Sequence, residues 1–583
     1  MATATIASYP VLDFSGGVRR DVGQSQMDRN ELLDARNVHL DERGRIRTRL
    51  GSQQLGQTLT GTIENSFFYT TNVSGVHDAV LLVNNSANPA VVSMLRGAVL
   101  TAAASVGDTT LTVNDTTQFT ASGTIEIEGD LIAYTATPSA TSITGVTGIS
   151  AQHAIGAPVH QWSTLTQSGT GVNGITGITY AVLNQICFFG GTGANMKQLS
   201  FAASVPTVSD VSGEPGVNSL TNYRDRLYGI ADGSGSSAVI PRVYFSARGD
   251  GTSWSPTVDY FAVEDKAGQY LTGLKVHSDT MGIFKATKIY TYDEIELKER
   301  IPDVGAYNQK VIQSLGGNLF TFCENGIFVT NLFSAKSIGE PVKEFFRGFV
   351  PTYETGNSIF CTNTHAWVSE KSYFLYINDI TVPTVTNDVV LEYNTETKTW
   401  TVHDGGYTNF FHVNNFPEGR FGASANPILV PQHIPTIRRP CLIAGDSGGK
   451  VWRMEENRLL NASNAVFGSD IFVDLRSDTG TPISSVVETQ MYDLTHPELF
   501  KKFKHLRVYT ESGQWNFEYR VEDEHGISSY RSLGTVSTTN QVLNFPSEAQ
   551  GWRCGFRISG VSSNAQRIFN GFIFENTEVL PRP

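Results

Sequence analysis

A chain of 583 residues is too long for a single core at roughly 100–200 residues per domain, so three or more units are expected. Hydrophobic residues at 40% and aromatics at 10% exclude a disordered chain, and a formal charge of −13 argues against a general nucleic-acid binder, whose surface must neutralise phosphates. The 55 glycines, with abundant Thr, Ser, Val and Asn and few helix-forming runs, favour short strands, tight turns and an all-β fold.

Residues 1–14 lack the basic start and long apolar run of a secretion signal. No apolar run elsewhere approaches the ~18 residues of a spanning helix, so neither secretion nor stable membrane insertion is expected. The first stretch, 1–56, is marked by arginine: Arg19, Arg20, Arg29, Arg36, Arg43, Arg45, Arg47 and Arg49, whereas residues 51–196 hold Arg96 as their one Lys or Arg. Such an arm is either ion-paired and solvated or a clamp onto a neighbouring subunit or adaptor, since Arg makes bidentate, desolvated contacts. Within it Glu31-Leu32-Leu33 reads as a helix-prone turn, followed by a hairpin turning at Gly44.

Residues 57–96 begin a propeller that 97–162 interrupt as a small inserted β-module. In the insert, apolar alternation at Ile125, Ile127, Leu131, Ile132 and Tyr134 around Gly129-Asp130 predicts a hairpin with one buried face. His153 and His160 have no acidic or cysteine partner at ligand spacing and read as core rather than metal ligands. Residues 163–480 repeat strand, polar turn and strand, as in NLFTFCENGIFVTN and VVLEYNTETKTWTVH. Paired hairpins with one apolar face need a neighbour to cover that face, which predicts a β-propeller of about six blades. From 481 to 583, alternation at Trp515, Phe517 and Tyr519, and at Cys554, Phe556 and Ile558, predicts a β-sandwich-like domain.

The motifs that could carry chemistry reduce to turns. Gly445-Asp446-Ser447-Gly448-Gly449 spells a serine-protease phrase but has no identifiable histidine base, and IAGDSGGKVWR reads as strand, turn, strand. Residues 246–254, SARGDGTSW, partly resemble the Asp-box hairpin of sialidase propellers, with Asp250 displaced and Arg248-Gly249-Asp250 forming a turn. Phosphate loops, HExxH, EF-hand loops and CxxC pairs do not occur, so no catalytic, cofactor or metal residues are assigned. Cys187, Cys323, Cys361, Cys441 and Cys554 lie far apart and read as buried free thiols. The densest basic run, Lys501, Lys502, Lys504 and Arg507, is either a solvated strand edge guarded by lysine or a surface facing DNA or a subunit.

Residues 14–56, with Gly16-Gly17, Glu31-Leu32-Leu33, Asn37-Val38, Arg43-Gly44 and Arg49-Leu50-Gly51, resemble the opening of the tail nozzle, tail hub or packaged-DNA stabilisation proteins of short-tailed phages. YRDRLYGI (223–230), RVYFSARGDGTSW (242–254), IFKATKIYTY (283–292), GGNLFTFCENGIFV (316–329), EYNTETKTWTV (392–402) and AGDSGGKVWRM (444–454) resemble successive blade hairpins of that family. Residues 107–135 resemble a small β-insert of phage tail proteins. The resemblance covers about two thirds of the chain, and the order of the motifs is its specific part.

The resemblance implies a structural virion protein, not an enzyme, assembled in the host cytoplasm and needing no cofactor. It implies a homohexamer below the portal and adaptor ring. That ring would touch tail fibre or tail-tip proteins and pass packaged double-stranded DNA without sequence-specific binding, holding the genome until ejection. Two other readings stay open: a host-recognition or baseplate-like tail component, and a propeller glycan hydrolase.

Overall fold

The computed structural model describes residues 5–581, apart from 50, 72–76, 86–90, 118, 166, 169–175, 193–194, 201–206, 232–240, 265–268, 353–360, 362–363, 370, 379–387, 406, 418–437, 455–456, 461–470, 475–476, 479–480 and 562–566; for some further strand residues it describes the backbone alone. Among the described residues the chain is all-β, with three short 3-10 turns at Gln24–Gln26, Gln309–Val311 and Glu340–Phe345.

Seven successive antiparallel meanders form the body, one more blade than the about six expected. The first is Thr62–Thr71, His77–Asn85, Val91–Val99 and Pro158–Thr164. The second is Thr176–Leu183, Ile186–Thr192, Lys197–Ser200 and Thr207–Asp210, and the third starts with Val217–Tyr223, Arg226–Ala231 and Arg242–Ala247. Leu271–His277 to Leu297–Pro302, Gln313–Leu315 to Ala335–Ser337, and Thr364–Ser369 to Thr399–Asp404 make the next three. The seventh, Tyr407–Pro417, Arg438–Asp446 and Val451–Met454, is completed by Ser52–Gln54 from the N-terminal segment.

The opening strands of the blades pack in order around a ring. Thr62–Thr71 touches both Thr176–Leu183 and Tyr407–Pro417, and Gln309–Val311 bridges from Leu271–His277 to Thr364–Ser369. The chain is therefore a closed β-propeller. Two-residue turns with both residues at positive φ, at Asn184-Gln185, Arg224-Asp225 and Ser278-Asp279, join the first two strands of three blades; their twist matches that of the strands they join.

Each blade's apolar face is covered by the next. Tyr223, Tyr228 and Val243 meet Leu274, Met281 and Ile283 between the third and fourth blades, and Trp367 and Phe374 meet Ala444 and Trp452 between the sixth and seventh. Burying one such large side chain stabilises by about 1.5–3 kcal/mol, which isolated hairpins could not recover. The insert grows from the first blade's edge. Its hairpin, Gly123–Ile127 and Asp130–Tyr134, pairs with Pro158–Thr164 and turns through Glu128-Gly129, one residue before the expected pair.

The C-terminal strands form a sandwich, as expected, around Trp515, Phe517, Tyr519, Phe556, Phe569 and Phe572. Phe556 and Phe572 meet edge to face at 4.9 Å. One sheet contains Ser484–Thr489, Arg553–Val561 and Trp515–Asp523; the other contains His505–Ser512 and the closing strand Ile568–Leu580.

The N-terminal segment forms no separate arm. Thr5–Val11 pairs with Ile568–Leu580, and the hairpin Val38–Leu40 with Ile46–Thr48 joins the same sheet, with Gly44 in its turn at φ 69 as the sequence suggests. Glu31-Leu32-Leu33 is not a helix-prone turn but the start of the strand Glu31–Arg36. That strand runs parallel to the sixth blade's last strand on one side and antiparallel to Ser484–Thr489 on the other, so one sheet spans propeller and sandwich. Leu32 and Ala35 are fully buried there, and tertiary packing outweighs the local helical preference of Glu, Leu and Ala.

Candidate functional site

Polar side chains concentrate where this N-terminal segment crosses from propeller to sandwich. Asn37 sits between two strands at φ 54, a left-handed conformation that Asn tolerates better than most residues. Its side-chain amide donates to Asp404 Oδ2 (3.0 Å) and the Ser484 carbonyl (2.9 Å), and its Oδ1 accepts from the Asp404 amide and Arg49 Nε, each at 3.1 Å. Its backbone amide donates to the Val402 carbonyl (2.8 Å), and its carbonyl accepts from the Arg49 amide and the Ser485 hydroxyl, each at 3.0 Å. Sixth blade, sandwich and N-terminal hairpin thus meet on one residue.

Most of the arginines turn into the chain. Arg19 pairs with Glu31 (2.7 Å) and Asp21 (3.0 Å), hydrogen bonds that raise its already high pKa. Arg20 pairs with Asp34 (3.1 Å) and lies over the Phe345 ring. Arg36 holds Asp34 (2.9 Å) and reaches Asp404 (3.4 Å). Arg45 and Arg47 share Asp41, at 2.7 and 3.2 Å, and Arg45 also reaches Glu511. Burial pushes the Asp41 carboxyl up, but hydrogen bonds from the Arg45 amide, the Arg45 guanidinium and the Arg43 amide outweigh it and hold the pKa below its ordinary value. Arg49 is buried against Asn37. Arg29 and Arg43 are exposed, and no acid lies within 4.0 Å of either guanidinium among the described residues.

The basic run behaves similarly. Lys501 is fully buried and corrects the expectation of a surface charge. Its Nζ donates to the carbonyls of His496 (2.5 Å), Leu499 (2.8 Å) and Trp552 (2.9 Å), and burial pulls its pKa down to about 8. Lys504 pairs with Glu578, and Arg507 grips Glu575 through two hydrogen bonds of 2.6 and 3.2 Å. Lys502 is half-buried beside them.

Histidine clusters were not foreseen from the sequence. Glu392, buried in Val389–Asn394, presents Oε2 to His39 Nδ1 (3.0 Å), His403 Nε2 (2.7 Å) and the Thr401 hydroxyl (3.1 Å), while Ser372 donates to Oε1 (2.7 Å). Burial raises the Glu392 carboxyl, but the charge of His39 and its hydrogen bond, then those of His403, hold it well below the usual range. The ligand-type atoms of His39, Glu392 and His403 lie within 4.8 Å of one another.

In the insert, His160 Nδ1 meets Glu126 (2.9 Å), and Arg453 of the seventh blade reaches the same carboxylate at 3.6 Å and Gln53 at 3.4 Å. His153 meets Glu128 (2.8 Å) and Asp130 (3.0 Å) through opposite ring nitrogens, an arrangement that orients the ring but cannot converge on one ion. Both histidines are buried as expected, yet both have acidic partners, contrary to the reading of their spacing.

The phrases that resemble catalytic motifs are turns. Asp446 Oδ1 accepts from the Gly448 and Lys450 amides at 2.8 and 2.9 Å, and its Oδ2 accepts from the Trp452 indole (2.9 Å). Asp250 caps the Thr252 amide at 2.9 Å, and the Trp254 indole donates to the Gly251 carbonyl at 2.9 Å. Cys187, Cys323, Cys361 and Cys554 are buried free thiols; Cys441 lies outside the described side chains.

No protein-family model matches this chain, and no curated protein sequence matches it. Among solved structures, the computationally designed Ika8 protein is 13% identical with a TM-score of 0.33, covering 69% of this chain and 99% of its own. BamB from Moraxella catarrhalis is 9% identical with a TM-score of 0.27, covering 56% of this chain and 95% of its own. An exo-beta-1,3-galactanase from Phanerochaete chrysosporium is 11% identical with a TM-score of 0.21, covering 83% of this chain and 100% of its own. At these TM-scores the likenesses carry no argument about activity.

Proposed function

We propose that this chain is a structural subunit of a phage tail, of the nozzle or hub type, forming a homohexameric ring below the portal and its adaptor. The observation that carries the reading is positional. The six motifs that resemble that family fall, in order, on hairpins of the third to seventh blades, and residues 14–56 supply both the strand that ties propeller to sandwich and the strand that closes the last blade. In this reading the propeller is a stiff wall with few free edges. A net charge of −13 per copy keeps DNA phosphates from adhering to that wall as the genome passes. Ring closure retains the packaged DNA, and contact with fibre or tip proteins on receptor engagement opens the path. Arg29 and Arg43, whose charges point outward, are the arginines available to an acidic adaptor surface.

Electron microscopy of the purified protein and of virions containing it tests this reading. A six-fold ring below the portal with axial DNA density supports it, and charge reversal at Arg29 and Arg43 is then expected to weaken adaptor docking without unfolding the chain. Monomers or trimers at the tail periphery would overturn it in favour of host recognition.

A further inference from the structure

The geometry points to a divalent transition-metal site at His39, Glu392 and His403, taking an ion of the zinc or cobalt class and stapling the N-terminal hairpin to the sixth blade. Three strands converge there: Val38–Leu40 brings His39, Val389–Asn394 brings Glu392, and Thr399–Asp404 brings His403. Two imidazoles and one carboxylate form a donor set suited to Zn²⁺, Co²⁺, Ni²⁺ or Fe²⁺, in which imidazole discriminates against Mg²⁺ and Ca²⁺.

The arrangement of the three side chains already has most of what such an ion needs. His39 Nδ1 and His403 Nε2 lie 3.0 and 2.7 Å from one carboxylate oxygen. Ligands about 2.0–2.2 Å from a tetrahedral ion stand ~3.3 Å apart, so an opening of a few tenths of an ångström suffices. Ser372 fixes the carboxylate from behind through Oε1 at 2.7 Å, as outer partners of metal ligands do, while Thr401 donates to Oε2 at 3.1 Å. His403 Nδ1 is buried and has no hydrogen-bond partner among the described residues. Binding of an ion at Nε2 requires the ring proton, which faces the Glu392 carboxylate across 2.7 Å, to move to Nδ1. His39 is partly exposed, with 27% of its side chain accessible, which gives ion and water a route to the remaining coordination position.

The test of this site is independent of the tail reading.

The full-length protein, stripped with a chelator, is titrated with Co²⁺ while its visible absorption is recorded, and bound zinc is counted by elemental analysis after dialysis. One ion per chain, with the intense bands of a low-coordinate Co²⁺ centre and a raised thermal midpoint in zinc, is expected. His39→Asn, at the partly exposed ligand, is expected to fold and to weaken binding by more than about tenfold; His403→Gln is expected to do the same. Absence of stoichiometric binding by the unaltered protein overturns the proposal whatever the variants do. So does binding that survives His39→Asn undiminished, because the ion would then sit elsewhere.

Discussion

Asn37 combines a left-handed backbone with hydrogen bonds to three parts of the molecule, and the two contributions can be separated. Asn37→Ala removes four side-chain hydrogen bonds and puts a Cβ-branchless but chiral residue at φ 54. With net values of about 1 kcal/mol per bond and about 1–2 kcal/mol for the backbone, a loss of about 5–6 kcal/mol is expected. Asn37→Gly keeps the backbone relaxed and is expected to lose about 1–2 kcal/mol less. Denaturant midpoints of the two variants check this, and equal losses would show that the conformation contributes nothing. The residue's importance was only half legible in the sequence. The Asn-Val pair belongs to the resemblance to tail proteins, but the partners Asp404 and Ser484 lie far away in the chain. The histidines fared worse for the same reason: His39 and Glu392 are 353 residues apart, and no local spacing encodes their meeting.

At the scale of elements, strands and turns were readable because they depend on neighbours in sequence. Alternation placed Trp515, Phe517 and Tyr519 on one buried face, and the turn residues of GDSGG and of Arg43-Gly44 marked their hairpins. Blade count was not readable, because the seventh blade borrows its last strand from Ser52–Gln54, and Gln53 meets Arg453 across a separation of 400 residues. The insert is tied to that closure by Glu126. Burial raises its carboxyl, but the His160 hydrogen bond and the charges of Arg453 and His160 hold it down to about 2, from an ordinary 4.5. A depressed carboxyl contributes stability that is fully present above the ordinary value and lost as pH falls toward the folded one. The stability advantage of the unaltered chain over Glu126→Gln is therefore expected to be constant above pH ~5 and to shrink between pH ~4.5 and ~2. Thermal melts of both proteins across that range measure it, and a gap that stays constant throughout would contradict the assigned ionisation.

For the whole molecule, the strand Glu31–Arg36 makes propeller and sandwich one sheet, so the two should melt together. Leu32 and Ala35 of this strand are buried, and a single large cluster joins Phe320, Tyr373 and Trp400 of the blades to Phe517, Phe556 and Phe572 of the sandwich. Calorimetry of the unaltered protein is expected to show one transition despite a length at which separate cores usually unfold separately. Ala35→Pro removes an amide that donates to Asp34 Oδ1 (3.0 Å) and sets a ring into a strand with neighbours on both sides, at a cost of about 3 kcal/mol or more. The fracture falls between the two units and leaves the ring of blades and its closure by Ser52–Gln54 in place. Two separated transitions are expected for this variant, the lower one abolished by limited proteolysis that spares the other unit. A single transition, merely lowered in temperature, would mean that the apolar cluster and not the shared sheet couples the halves, and would move the link between propeller and sandwich from the N-terminal strand to the packing of the shared apolar cluster.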